Sequence, residues 1–92
     1  MTDIEETLQE RGSRYGAFVE QARVTANIKH AMAESNNWKR LAPYQREALE
    51  MIAMKTARIL TGNPNDFDSW HDIEGYSKLA ADQVGLDEAA GK

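Results

Sequence analysis

The residues with the most chemical potential in this chain are acids and cations set beside apolar helix faces. Asp72 is the sharpest case. In the helix that starts near Asp68, periodicity gathers Ile73, Tyr76, Leu79, Ala80 and Val84 on one side and His71, Glu74, Lys78 and Asp82 on the other. Asp72 falls with the apolar group, between Tyr76 (i+4) and Leu79 (i+7). An ionised carboxylate on a core-facing stripe is costly unless it is paired, hydrogen-bonded or bound to a metal ion. The preceding helix offers partners. Glu47, Met51 and Lys55 form an i, i+4, i+8 line, Glu50 lies one step aside, and Arg58 shares the sector of Met51 and Met54. Three readings of Asp72 stand. It joins a carboxylate cluster for a metal or nucleotide, it closes a Ser69-x-x-Asp72 capping box, or it pairs with Lys55 or Arg58 inside the fold. Asp66 and Asp68 read first as helix N-caps. Trp38 and Trp70 read as packing anchors rather than stacking platforms. Neither a Ser/His/Asp constellation nor a glycine-rich phosphate loop is present in the sequence.

The elements that must position these groups are all helical. A first helix is expected over Asp3–Arg11, ended by Gly12, and a break over Ser13–Gly16. A second should run from Ala17 to Ser35, burying Phe18, Val24, Ile28, Ala31 and Met32. Trp38 and Leu41 anchor the connection. Pro43 suits the first turn of a third helix, because its missing N–H is not needed there. That helix runs to Thr61, and Gly62-Asn-Pro-Asn-Asp66 stops it. The fourth runs to Val84, with Gly85 as its end and a frayed tail over 86–92. The third helix is apolar around most of its circumference, which suits a central helix or an oligomer interface. Short loops between four helices imply antiparallel neighbours. The expected fold is thus all-α: one four-helix bundle-like domain over 1–92.

Composition narrows the function classes. The chain has 92 residues, a net charge of −4 and a pI near 5.1. An acidic balance argues against non-specific nucleic-acid binding, which wants a basic surface. It leaves room for one small nucleotide held by a local cation cluster. With no cysteine, there is neither a disulfide framework nor a thiolate zinc site. No apolar run approaches a membrane span, so a cytoplasmic protein without membrane contact is expected. A chain this short is near the lower limit for a self-sufficient core, so a homodimer or larger oligomer is expected, sharing Met51, Ile52, Met54 and Ile59.

Four pieces occur in a recognisable order: Arg14-Tyr-Gly16, Glu47-Ala-Leu-Glu50, Lys55-Thr-Ala-Arg58 and Asp68-Ser-Trp-His-Asp-Ile-Glu-Gly-Tyr76. Together they resemble a small phage and prophage domain family of unknown function. That family is similar to MazG-like all-α nucleoside triphosphate pyrophosphohydrolases and to nucleotide-modification-associated phage domains. The likeness covers Arg11 to Leu79. It implies a MazG-like helical arrangement in which Glu47, Glu50 and Asp72, with Asp68 nearby, hold Mg²⁺ against a triphosphate. Ser69 stands where the pattern has an acid, and Arg46 where a further Glu often precedes the first pair. Mg²⁺ wants octahedral oxygen coordination and keeps several waters. Lys55 and Arg58, with Tyr15, would contact the nucleotide, the cations neutralising phosphate oxygens. The implied function is a phage-type nucleotide-binding protein, in its catalytic form a Mg²⁺-dependent pyrophosphohydrolase. The alternative is a non-catalytic accessory protein that binds a host protein or sequesters a nucleotide signal. Either would work in the host cytoplasm if phage-encoded.

Overall fold

The computed structural model describes residues 3–91, so Lys92 of the expected tail lies outside it. Four α-helices follow one another: α1 (Asp3–Tyr15), α2 (Phe18–Ala33), α3 (Pro43–Thr61) and α4 (Phe67–Ala89), with a short 3₁₀ turn at Trp38–Arg40 before α3. No strand occurs among the described residues, as the periodicity predicts.

Helix ends follow local chemistry. Pro43 opens α3, and the Gln45 side chain accepts the Ala42 N–H at 2.8 Å, satisfying a donor that the helix cannot. Asp66 caps α4, its carboxylate accepting from the Ser69 N–H at 3.2 Å and from the Ser69 hydroxyl at 2.7 Å. The capping acid is therefore Asp66, not Asp72. Two glycines expected to end helices do not. Gly12 lies inside α1 and Gly85 inside α4. An interior glycine costs a helix only about 1 kcal/mol relative to alanine, which neighbouring turns outweigh. Gly16 does end α1, at φ +87°, in the left-handed region.

α3 packs along both α2 and α4, and α1 rests on α2 and α3. The pairs Lys29–Glu50, Lys55–Asp72 and Tyr44–Asp87 set the register and make the neighbours antiparallel. α2 and α4 have almost no direct contact, so the helices do not close into a ring. The molecule is long, 56 × 25 × 22 Å. Its radius of gyration is 15.8 Å, against about 12 Å for a compact domain of this length.

The central position expected of α3 is observed, but the core is thin. Its fully buried apolar side chains among the described residues are Ala48, Ala53 and Ala57. Val24, Ile28 and Met32 of α2 are half-buried, whereas Phe18 is 81% exposed. On α4, Ile73 and Tyr76 are half-buried while Leu79 is 67% exposed. Each outer helix leans on α3 along one edge, and no further layer covers the rest of its apolar stripe.

The chain reverses where two glycines meet. A Cβ on Gly16 would fall 2.2 Å from the Thr61 carbonyl oxygen, and one on Gly62 would fall 2.3 Å from the Tyr15 carbonyl carbon. Backbones this close exclude any side chain. Gly75, by contrast, sits in open space on α4. Denaturant unfolding should therefore separate the two kinds of glycine. Gly16→Ala is expected to cost more than about 1 kcal/mol, and Gly75→Ala to add about 0.5–1 kcal/mol of stability.

Candidate functional site

The C-terminal turn of α1 is tied to the α3–α4 junction by both main chain and side chain. The Asn63 N–H donates to the Arg14 carbonyl at 2.8 Å, and the Thr61 hydroxyl donates to the Tyr15 carbonyl at 3.0 Å. Arg14 donates from Nη2 to Asp66 at 3.1 Å and to Asp68 at 2.9 Å. Asp66 thus caps α4 with one oxygen and receives Arg14 with the other, inside a buried junction that also holds Ser69. The Ser69 hydroxyl holds the Asp66 carboxyl below the ordinary carboxylate range, Arg14 adds to this, and burial opposes it. Arg14 is correspondingly raised, first by Asp66 and then by Asp68.

This junction fixes the Tyr15 ring, and the ring gathers cations. The guanidinium carbons of Arg58, Arg14 and Arg11 lie 4.5, 5.0 and 5.8 Å from its centroid, within cation–π range. Arg14 is neutralised by its two aspartates. Among the described residues neither Arg58 nor Arg11 has a hydrogen-bond or ion-pair partner, although Arg58 is near enough to Asp72 to help lower its carboxyl. Arg58 Nε is buried and lacks an acceptor. A buried N–H without an acceptor costs about 1–3 kcal/mol, more when charged. Both guanidiniums line a cavity of about 400 Å³, together with Leu8, Tyr15, Phe18 and Met54. A concave site with apolar walls, an aromatic floor and unpaired guanidiniums suits an anion that carries a flat or apolar group.

The sequence-nominated residues divide around this cavity. Tyr15 and Arg58 meet in it. Lys55 does not, because it donates to Asp72 at 2.9 Å. Lys55 is only 12% exposed and Asp72 41% exposed, so the acid on the apolar face answers a half-buried ammonium. The hydrogen bond from Lys55 holds Asp72 below its ordinary value. Of the three readings of Asp72, the ion pair is the one with this geometry. The other acids also face separate partners. Asp68 receives Arg14, Glu50 faces Lys29 on α2 at 3.7 Å, and Glu47 lines another cavity with Tyr44 and Tyr76. Among the described residues no group of three or more His, Asp or Glu could hold a metal ion. Glu47, Glu50, Asp68 and Asp72 thus each face different surroundings within the chain. Helical spacing brought them near one another on paper, but antiparallel packing placed a basic residue opposite three of the four.

Residues that sequence reading missed are Arg11 and Arg14. Both were assigned to a helix end and a break, yet α1 continues through them. Arg11, Arg14 and Tyr15 stand at i, i+3 and i+4 in the sequence, but only the continued helix sets Arg11 and Tyr15 on one face. Trp70, expected as an anchor, is half-exposed and donates from Nε1 to the Pro64 carbonyl at 2.8 Å, which locks the loop rather than a core.

The buried junction sets an acid limb. Because the folded Asp66 carboxyl is held below its unfolded value of about 3.9, its contribution is present above that value and is lost as pH falls through the folded one. Asp66→Asn retains a capping oxygen but removes the charge. Urea midpoints should therefore show the variant weaker than wild type at neutral pH, with the gap closing as pH drops below about 4. A gap that stays constant with pH would remove the Arg14–Asp66 ion pair from the account.

No described helix is long and apolar enough to cross a membrane. In comparison with known proteins, no curated protein and no solved structure matches the chain. A family model described as a domain of unknown function, DUF6378, does match, over residues 1–84. That span contains α1, α2, α3 and α4 as far as Val84, and with it the glycine crossing, the Arg14–Asp66 junction and the Tyr15 cavity; the chain belongs to the DUF6378 domain family.

Proposed function

We propose that this protein binds a nucleotide at the Tyr15–Arg58 cavity and acts by holding it. One observation carries the reading: the half-buried Arg58 presents a buried Nε donor with no acceptor, over an aromatic ring, in a cavity it shares with an equally unpaired Arg11. A phosphate group supplies the missing acceptor oxygens, and guanidinium is the side chain best matched to it. Tyr15 and Phe18 offer rings to a base. The size fits too, since ligand cavities run from about 300 to 1,000 Å³. The resemblance to phage-type MazG-like proteins supports a nucleotide over other anions.

Binding without turnover is favoured over Mg²⁺-dependent pyrophosphate release. The carboxylates expected to hold Mg²⁺ are turned toward separate partners within one chain, and no hydrolytic step is built on them. Sequestration of a nucleotide signal is the role that binding without turnover supports. A host-protein partner remains the second reading, supported by the exposed Phe18 and Val19 at the start of α2.

The test is ligand-dependent melting. Nucleoside triphosphate and pyrophosphate should each raise the melting temperature without metal, by about 2.7 kcal/mol in stability at a hundredfold excess over Kd. Arg58→Gln should remove the rise and keep the helical circular dichroism. A flat response to both ligands, with and without Mg²⁺, would refute the site. Release of pyrophosphate in the presence of Mg²⁺ would instead restore the enzymatic reading.

A further inference from the structure

The α3–α4 pair carries a second face, nearly opposite the side of α3 that lines the Tyr15 cavity. On α3, Gln45, Leu49, Ile52, Thr56 and Ile59 follow at i, i+4, i+7, i+11 and i+14; on α4, Trp70, Glu74, Ser77, Ala81 and Val84 follow at the same spacing. Glu74 is the one charged member of these two rows, and it lies outside the groove described next, whose lining is uncharged. The rows meet across a shallow groove of about 250 Å³ lined by Leu49, Ile52, Ser77, Ala81 and Val84, among others. Leu49 and Val84 are 42% and 41% exposed. Around the groove, Leu49, Ile52, Ala81 and Val84 present an apolar patch on two adjacent antiparallel helices, the spacing that the inward face of a bundle has.

The surface area says how much is uncovered. The chain exposes 6648 Å², whereas a compact monomer of this mass exposes about 5,400 Å². The excess, roughly 1,200 Å², is larger than the ~800 Å² each partner contributes to a standard interface. It coincides with a core whose buried apolar side chains, among the described residues, are Ala48, Ala53 and Ala57. A shortage built into every chain needs a cover as abundant as the chain itself. The two rows also differ in bulk. The bulky row at Leu49 and Ile52 lies beside the small row at Ser77 and Ala81, so a twofold axis can set the ridge of one copy into the furrow of the other.

We propose that two copies of this chain join through the Leu49/Ile52–Ala81/Val84 face, their α3–α4 pairs forming one four-helix bundle. The Tyr15 cavity stays outside the interface, so the proposal stands apart from the nucleotide reading. Sedimentation equilibrium of the wild-type chain, without ligand, should give a dimer in the micromolar range, with a melting temperature that rises with protein concentration. Ala81→Glu introduces a good helix former at an exposed position of the single chain, and should give monomers. Leu79→Glu, on a different side of α4, should remain dimeric. Should Ala81→Glu lose its helical circular dichroism, Leu49→Gln decides: a dissociation constant weaker by at least about tenfold is expected, and an unchanged one overturns the interface. A wild-type monomer with a concentration-independent melting temperature overturns the dimer. A dimer that survives Ala81→Glu, or that Leu79→Glu disrupts equally, overturns this choice of face.

Discussion

The approach of two backbones at Gly16 and Gly62 is the contact on which the rest of the arrangement depends. Where α1 ends, its chain lies against the end of α3 with no space for a Cβ on either side. That proximity lets Arg14 and Tyr15 give their carbonyls to Asn63 and Thr61. It also brings the Arg14 guanidinium to the first turn of α4, where Asp66 serves as both cap and counter-ion. Three helix ends are thus joined by one small polar junction. Without it, α1 would touch α3 only through a thin apolar edge, and Tyr15 would have no fixed place.

Charge distribution then separates structural cations from available ones. Arg14 and Lys55 are answered by Asp66, Asp68 and Asp72. Those pairs knit α1 to α4 and α3 to α4, and they consume acids that sequence spacing offers to a metal. Arg58 and Arg11 are left on the Tyr15 ring without a hydrogen-bonded acid, Arg58 sharing only the more distant charge of Asp72. In a protein of net charge −4, two guanidiniums without a hydrogen-bonded acid in one concave site are a local reversal of the overall field, and it is anions that such a reversal selects. The ring does more than pack: it holds the guanidiniums by cation–π attraction while leaving their N–H edges unmatched.

Small residues give the fold its form and its shortage. Alanines at 48, 53 and 57 let α2 and α4 approach α3 closely, but each contributes little apolar area. The larger aliphatic and aromatic side chains lie at the margins of the helix pairs. An open layer of three helices with a fourth across its end therefore shows apolar stripes on more than one side, and it is this openness, not a lack of hydrophobic residues, that makes a second copy physically reasonable.

Much of this was legible from sequence. Pro43 and the Gly62–Asp66 stop fixed α3 at both ends, because a missing N–H and a turn cluster are local properties. The central role of α3 was legible from apolar residues around its circumference. The need for Asp72 to find a partner was legible too, since burial of a carboxylate is costly in any fold. The choice of partner was not. Lys55, Arg58 and a carboxylate cluster were equally compatible with the spacing, and only the antiparallel register of α3 and α4 brought Lys55 to 2.9 Å. Gly12 and Gly16 look alike in sequence; the tertiary contact with Thr61 decided which one turns the chain. The sequence by itself determined where helices form and which groups needed compensation, because those depend on neighbours along the chain. Which cation stayed uncompensated was decided by the tertiary structure, because that depends on neighbours across it.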